Sequence, residues 1–393
     1  MSTAKPATNR IASLDQFRGY TVAGMFVVNF LGAYVATPLV LKHHNNFCSY
    51  ADTIMPQFFF AVGFAFRLTF GRRAQTQGVV AAYGHVVRRL LGLALVAIVI
   101  YHAPTVSEHW NTLVEKGFWE ALRKPLKGTW FQTLMHIAVT SLWITPVIRA
   151  SAPVRIAFMI ASAVLQVVLS YWFYFDWVQT GCIDGGPLGF LTWTFPTIVG
   201  TLACDAVTAP DGPQIRKMFV WSALLMGLGY LLSCPTTLYD VPDDQVASLK
   251  QEIRPADAVL PSRERLDTHP LSWAEPPFVP PPDSDHRKEN YWMMSQRAAT
   301  ISYHVFGAGL ALAVYALFYI ACDIWGWQLG LFRTLGTNAL VGYILHGIVG
   351  DSVEAFVPRD SPGWYVTGAF LLYFGITYLF IRHLEKNKIY LKL

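Results

Sequence analysis

Two adjacent histidines and an aspartate lie just before a strongly apolar stretch of this chain. Residues 41–56 have the sequence LKHHNNFCSYADTIMP, in which His43 and His44 precede Asp52 by nine and eight positions. A neutral imidazole is a suitable general base because its ordinary pKa lies near neutrality. Asp52 has two open roles, orienting the His44 imidazole or capping the following helix. Loop histidines are more often simply solvated, so the pattern alone does not establish catalysis.

Asn29 is a second chemically capable residue, and it lies inside an apolar run. An amide surrounded by hydrocarbon needs a hydrogen-bond partner. It can donate to a substrate oxygen on which negative charge develops, or it can bind a neighbouring helix. Both roles remain open from the sequence.

The elements that position these residues are predicted to be membrane-spanning helices. The chain is 53% hydrophobic and 14% charged, with mean hydropathy +0.36, against about 25% charged residues in an ordinary soluble domain. Windows of about 20 apolar residues suffice to cross a bilayer. We therefore predict an all-α polytopic membrane protein of about ten transmembrane helices, at 13–35, 53–70, 84–106, 129–148, 154–175, 189–206, 217–234, 298–322, 334–350 and 363–381.

Basic residues predict the orientation of these spans, because cytoplasmic segments retain Lys and Arg. With the N-terminus inside, 17 of the 30 Lys and Arg residues fall on inner segments and six on short outer loops. Both termini are therefore expected in the cytoplasm. The histidine pair is then expected on the outer face.

The spans divide into two groups around a Pro-rich segment. Residues 1–235 are predicted to hold helices 1–7 with the histidine motif, and residues 297–393 to hold helices 8–10. Residues 236–296 include AEPPFVPPPDSD and have no apolar period, so we expect an extracytoplasmic loop or cap. A disordered tether is the alternative.

No soluble catalytic signature is found in the chain. It has no Walker loop, no GxGxxG after a strand, no GxSxG elbow and no zinc-type CxxC pair, so no metal site and no nucleic-acid partner are expected. Three cysteines fall on the predicted outer side, where disulfide pairing is open, but free buried thiols are favoured for most of them.

The first predicted helix carries charge at its cytoplasmic end. Ser13 to Gln16 has the pattern of a capping box. Arg18 and Asn29 are 11 residues apart, or about 16 Å along a helix. That spacing suits a ligand with an anionic end near Arg18 and a reactive end near Asn29. In the alternative interpretation, Arg18 only forms an ion pair with Asp15.

The predicted ninth helix carries Asn338 and His346, eight residues apart. This spacing is a little over two turns, so both are expected on one helix face. They would then line a ligand path, or form a structural bond to another helix.

Five segments, in order along the chain, resemble the heparan-α-glucosaminide N-acetyltransferase family of transmembrane acyltransferases. They are RIASLDQFRGYTVAGMFVVNF from residue 10, ADTIMPQFFFAVGFA from 51, LMHIA from 134, DGGPLG from 184 and LGTNALVGYILH from 335. Each match is short, but together they extend from residue 10 to residue 346. The chain is identified from them as a bacterial member, expected in the cytoplasmic (inner) membrane because no separate lumenal domain precedes the first helix.

The resemblance implies a reaction and a set of site residues. The family moves an acetyl group from cytoplasmic acetyl-CoA to an acceptor across the membrane, an amino sugar in its best-known member. A first-loop histidine and the asparagine of the first helix form the family's active site. These residues map to His44 as first choice, His43 as second, and Asn29, with Asp52 beside them. Contacts to acetyl-CoA are expected from Arg18, Asp15, Asn338 and His346.

The loop departs from the family pattern, which keeps other functions open. The family has a tryptophan and a glycine between the histidine and the aspartate, and this chain has NNFCSY there. A transporter that uses the same polar residues, or a catalytically inactive scaffold, are the alternatives. The partners expected are an acyl donor, a sugar or glycan acceptor and the lipid bilayer, and the resemblance also allows a homodimer.

Overall fold

Helices make up most of the described part of the chain. The computed structural model describes residues 11–103, 105–241, 255–268, 270–283 and 285–391, and these contain no β-strand. The helices are α1 (Ala12–Leu31), α2 (Tyr50–Gln77), α3 (Val79–Ile100), α4 (Trp110–Lys124), α5 (Thr133–Ile144), α6 (Ala152–Leu169), α7 (Phe175–Gln179), α8 (Phe190–Val207), α9 (Ile215–Ser233), α10 (Pro255–Val259), α11 (Arg263–Thr268), α12 (Ile301–Tyr319), α13 (Gly330–Thr337), α14 (Ala339–Glu354) and α15 (Gly363–Lys386).

Many of these helices have the length and composition of membrane spans. Within the described residues, seven helical stretches are long and apolar enough to cross a bilayer, and a shorter apolar stretch covers Thr133–Val147. The prediction of an all-α polytopic membrane protein is confirmed. The number of ten spans and the side on which the termini lie stay predictions.

The chain divides into two compact units. Unit 1 comprises Met1–Thr37 and Ala313–Lys392, and unit 2 extends from Pro38 to Leu312. The predicted boundaries of the Pro-rich segment, after residue 235 and before residue 297, stay a prediction. Each unit is built around glycines that let two helices approach closely.

In unit 1, α1 packs directly on α13. A Cβ atom at Gly19 would lie 1.8 Å from the carbonyl oxygen of Phe332, and one at Gly336 would lie 2.1 Å from that of Asp15. No side chain fits at either contact, so glycine is required for this backbone approach. Small residues play the same role at helix interfaces in other membrane proteins.

The predicted capping box at Ser13 is wrong. The N-cap of α1 is Ile11, with no side-chain cap bond. Instead, the Asp323 carboxylate accepts from the main-chain N–H groups of Ala12 and Ser13, at 3.1 and 3.0 Å. Gln16 exchanges hydrogen bonds with the main chain of Leu329. An acid far along the chain thus accepts from the N–H groups at the start of α1. The side chain of Gln16 bonds a different segment and does not cap its own helix.

The predicted ninth helix is interrupted. The helical conformation stops at Thr337, and Asn338 has φ −122° and ψ 42° before α14 begins. The prediction that Asn338 and His346 share one face of a continuous helix is therefore wrong. The short α13 ends where it packs on α1, and α14 begins at Ala339.

In unit 2, α2 and α8 form the central pair. Cβ atoms at Gly63 and Gly200 would lie 1.9 and 2.1 Å from the carbonyl oxygens of Thr197 and Phe60. The glycines are placed reciprocally, one on each helix. This contact fixes α2, whose first turn contains Asp52, against α8.

The described parts of the Pro-rich segment bond to the histidine loop and to one another. The N–H of Phe278 donates to the carbonyl of Cys48 at 2.9 Å, and the Tyr239 hydroxyl donates to the carbonyl of Asp257 at 2.6 Å. The buried Arg287 pairs with Asp240 and Glu275. These contacts order part of the segment and attach it to the histidine loop.

All five cysteines of the chain are free and buried. The outer-side candidates, Cys48, Cys182 and Cys234, form no disulfide. Burial raises the pKa of the Cys182 thiol to about 12, so this residue is a poor nucleophile.

Candidate active site

The start of α2 fixes the aspartate of the histidine motif. The Ser49 hydroxyl accepts from the N–H of Asp52 at 3.3 Å, and Oδ2 of Asp52 accepts from the N–H and the hydroxyl of Ser49, both at 2.9 Å. This reciprocal arrangement is a capping box. Because Oδ2 serves the cap, Oδ1 is left for a second partner.

That second partner is His43. Its Nδ1 donates to Oδ1 of Asp52 at 2.9 Å, which leaves Nε2 as the basic nitrogen. Burial lowers the pKa of His43, but the hydrogen bond to Asp52 and the charges of Asp52 and Asp184 outweigh it, so the pKa is raised above the ordinary 6.5. The imidazole is 47% exposed, so a substrate can reach it.

His44 is held differently from the expectation. Its Nε2 donates to the carbonyl of Leu39 at 2.9 Å, and its ring stacks on Phe47 with 4.3 Å between ring centroids. Asp52 contacts the main-chain N–H of His44, at 3.5 Å. Asp52 therefore orients the imidazole of His43, whereas the sequence favoured that of His44. The turn Leu39–Leu41 offers a carbonyl to His44, which turns its ring away from the aspartate.

A second buried carboxylate belongs to the same electrostatic environment. Asp184 has a positive φ of 54°, and its Oδ1 accepts from Nε2 of Gln296 at 2.7 Å. Burial raises the pKa of Asp184 to about 6, with the nearby charge of Asp52 adding to the effect, although Gln296 and His43 oppose it. The backbone turns at Asp184 and the glycines after it, and the carboxylate is part of a polar network.

Two residues that sequence reasoning missed join Asp184 to the start of α2. The Tyr303 hydroxyl donates to the main-chain carbonyl of Asp52 at 2.6 Å and lies 3.3 Å from Oε1 of Gln296. The Gln296 amide in turn holds Asp184. Neither residue belongs to a motif, so only their contacts identify them.

Trp193 holds the Asp184 turn from the side of α8. Its indole N–H donates to the carbonyl of Asp184 at 2.8 Å. Its ring lies 4.3 Å from that of His304 and 6.3 Å from that of His136 between centroids. His136 is fully buried.

Unit 1 contains a separate pair of predicted site residues. The Asn29 amide donates to Nε2 of His346 at 3.3 Å, while Nδ1 of His346 donates to the carbonyl of Tyr343. The His346 ring also stacks on Phe26. The structure thus joins an expected catalytic residue to an expected cofactor contact.

The other expected cofactor contacts are not joined to that pair. Asp15 and Arg18 lie in the first two turns of α1, and Asn29 lies near its end. α1 is continuous, so the predicted rise of about 16 Å between Arg18 and Asn29 holds. Asn338 donates to the carbonyl of Ile389 at 3.1 Å, and it lies at the helix break.

A sequence model of a known family matches residues 10–185, and its description is heparan-α-glucosaminide N-acetyltransferase, catalytic. Residues 10–185 are similar to the catalytic region of this family. No individually curated protein matches the chain at a significant level. Over these residues the chain resembles acetyltransferases, and its apolar helices are typical of an integral membrane protein.

The heparan-α-glucosaminide N-acetyltransferase match includes the whole histidine loop. Asn29, His43, His44, Asp52 and Asp184 all lie within the matched residues. Asn338 and His346 lie beyond them, as do the missed residues Gln296 and Tyr303. The matched catalytic region thus coincides with the His43–Asp52 pair and its second carboxylate.

Proposed function

We propose that the protein is a transmembrane acetyltransferase that moves an acetyl group from cytoplasmic acetyl-CoA to an extracytoplasmic sugar or amino sugar. One observation carries the proposal: a half-exposed imidazole is held by a buried carboxylate within residues that match the catalytic family. The proposed setting is a bacterial cytoplasmic membrane with the histidine loop outside.

His43 is the proposed base or acyl carrier. In direct transfer, Nε2 takes the proton of the acceptor amine or hydroxyl as that atom attacks the acetyl carbonyl. The carbon–sulfur bond then breaks, and CoA leaves as a thiolate that takes up a proton. In the two-step route, Nε2 itself attacks and carries the acetyl group to the acceptor. Asp52 stabilises the imidazolium or the acylated ring in either route.

Asn29 is the proposed donor to the thioester oxygen. Its amide has two N–H groups, and one is directed at His346. The other is proposed to stabilise negative charge as the carbonyl is attacked. His346 is then a positioning residue for Asn29, and Arg18, Asp15 and Asn338 remain proposed contacts to acetyl-CoA.

Asp184 is proposed to receive the acceptor. A carboxylate with a pKa of about 6 is largely ionised at neutral pH, and it pairs well with the ammonium form of an amino sugar. Its position, in the same electrostatic environment as His43, would place the acceptor near the base that must deprotonate it.

The test uses the purified full-length chain with labelled acetyl-CoA and a panel of amino sugars. His43→Ala is expected to lower the rate of transfer by about 10²–10⁴-fold. His286→Ala is the matched control, because His286 also bonds an aspartate, Asp283, at 2.6 Å but lies in the Pro-rich segment. If the His43 and His44 single variants and the double variant all transfer at the wild-type rate, the proposed base is wrong. Solute exchange in a counterflow assay without any transfer would instead indicate a transporter.

A further inference from the structure

A cavity lined by arginines lies at one end of unit 2, away from the histidine loop in sequence. It has a volume of about 420 Å³ and is lined by the ends of α2 and α8 and by the connection between α5 and α6. These segments are the ones that the positive-inside pattern places in the cytoplasm. The volume falls in the range of about 300–1,000 Å³ typical of small-molecule pockets.

One carboxylate anchors the wall of this cavity. Nε of Arg67 donates to Oδ1 of Asp205 at 2.8 Å, and Arg155 donates to Oδ2 of the same aspartate. Arg155 is fully buried behind the wall and also donates to Thr201 at 2.6 Å. Two guanidinium groups therefore share a single negative charge.

The cavity consequently has an excess of positive charge. Its lining residues, all within the described part of unit 2, include Arg67, Arg72 and Arg149, and Asp205 is the only acid among them. That acid is already shared with Arg155. Positive charge beside a partly buried, low-dielectric space favours an anion. The side chain of Gln75 also lines the cavity and can donate hydrogen bonds to it.

We propose that this cavity binds a phosphate group. Arginine matches phosphate because its planar fork donates two parallel hydrogen bonds to two oxygens. The phosphate would come from a cytoplasmic nucleotide, of which CoA is an example, or from the headgroup of an anionic lipid. The bonds of Arg67 to Asp205 and to the carbonyl of Ile148 fix that guanidinium in the wall of the cavity. The proposal does not depend on the site of acetyl transfer.

Arginines of the same predicted side that do not line the cavity serve as controls for those that do. Arg73 is adjacent to Arg72 on α2 but does not line the cavity, and Arg88 lies on α3 outside it. All of them satisfy the positive-inside pattern. Of these arginines, only the ones that line the cavity are expected to matter for phosphate binding.

The test measures binding by the full-length chain in nanodiscs of neutral lipid, with no turnover required. The probes are CoA, dephospho-CoA and inorganic phosphate, and a parallel set of nanodiscs contains phosphatidylglycerol. The double variant Arg72→Gln with Arg149→Gln changes only exposed side chains, so the fold should be kept. Its affinity for at least one phosphate source is expected to fall by about tenfold or more, whereas Arg73→Gln and Arg88→Gln bind as wild type.

The results identify the source or overturn the proposal. Weaker binding of CoA in the variant, with dephospho-CoA unaffected, indicates a nucleotide phosphate. Loss of the thermal stabilisation given by phosphatidylglycerol indicates a lipid headgroup, and weaker binding of inorganic phosphate alone indicates the free ion. If no probe binds, or if the control variants lose binding equally, the cavity does not bind phosphate. Acetyl transfer, assayed separately with saturating acetyl-CoA, would distinguish this failure from failure of the proposed function.

Discussion

Two histidine–aspartate pairs of this protein look alike in their bond lengths and differ in the burial of the carboxylate. His43 bonds Asp52 at 2.9 Å and His286 bonds Asp283 at 2.6 Å, with imidazoles that are 47% and 43% exposed. Asp52 is 1% exposed, whereas Asp283 is 66% exposed. A short bond alone therefore does not distinguish the two pairs.

The surroundings of the carboxylates explain why only one pair is a candidate site. Asp52 is fixed by the Ser49 cap, and the charge of Asp184 acts on its partner His43. The hydrogen bond from His286 is the main cause that lowers the pKa of Asp283. This carboxylate is exposed to water. Water screens such exposed pairs, so they seldom do more than hold a local turn.

The largest expected difference between the pairs is in activity after removal of the histidine. His43→Ala should lower kcat by about 10²–10⁴-fold, the usual contribution of a general base. His286→Ala should leave kcat unchanged, and His44→Ala should have a smaller effect than His43→Ala because its ring bonds Leu39. Radiolabelled acetyl transfer measures all three. Equal losses of kcat in His43→Ala and His286→Ala would show that the two histidine–aspartate pairs do not differ in function.

The next effect concerns the carboxylate partners. Asp52→Asn should lower kcat by about 10²-fold or more, because the neutral amide neither stabilises the imidazolium nor fixes the tautomer. Asp283→Asn should have no effect on transfer. The measurement is kcat with KM determined for both substrates, and a change confined to KM in Asp52→Asn would contradict the orienting role.

A smaller effect is expected in the pH profile. Transfer needs neutral His43, so kcat/KM should rise with pH through a midpoint above 6.5, since the pKa of His43 is raised. Removal of the negative charge in Asp184→Asn should lower that pKa and move the midpoint to lower pH. Asp283→Asn is the control and should leave the profile in place. An unchanged midpoint in Asp184→Asn would show that the charge of Asp184 does not affect the pKa of His43.

The smallest effect is on local stability. Ser49→Ala removes the side-chain cap of α2 and should destabilise it by about 1 kcal/mol. Ser352→Ala removes a bond to the carbonyl of Ile348 within an exposed helical turn and should change little. Amide exchange at the first turn of α2 measures the difference, and equal protection in both variants would argue against the capping box.

The two serine motifs show how far local sequence can be trusted. Ser13 to Gln16 has the spacing of a capping box, yet Asp323 caps that helix from far along the chain. Ser49 and Asp52 form the box that the structure contains, and the sequence had offered capping only as one role of Asp52. Spacing fixes which side chains can reach a helix start, but the packed neighbours decide which of them does.

The sequence by itself determined the class of the protein and the region of its candidate site. Apolar length and scarce charge suffice for a membrane protein because a bilayer allows few alternatives to helices. The order of short motifs likewise located the histidine loop, Asn29 and Asp52.

Only the tertiary structure decided which groups meet. It paired Asp52 with His43, joined Asn29 to His346, broke the helix at Asn338, and brought Gln296 and Tyr303 to the aspartates. The Gln296 and Tyr303 contacts join residues more than 100 positions apart. They depend on how whole helices and the Pro-rich segment pack, and local spacing carries no information about such packing.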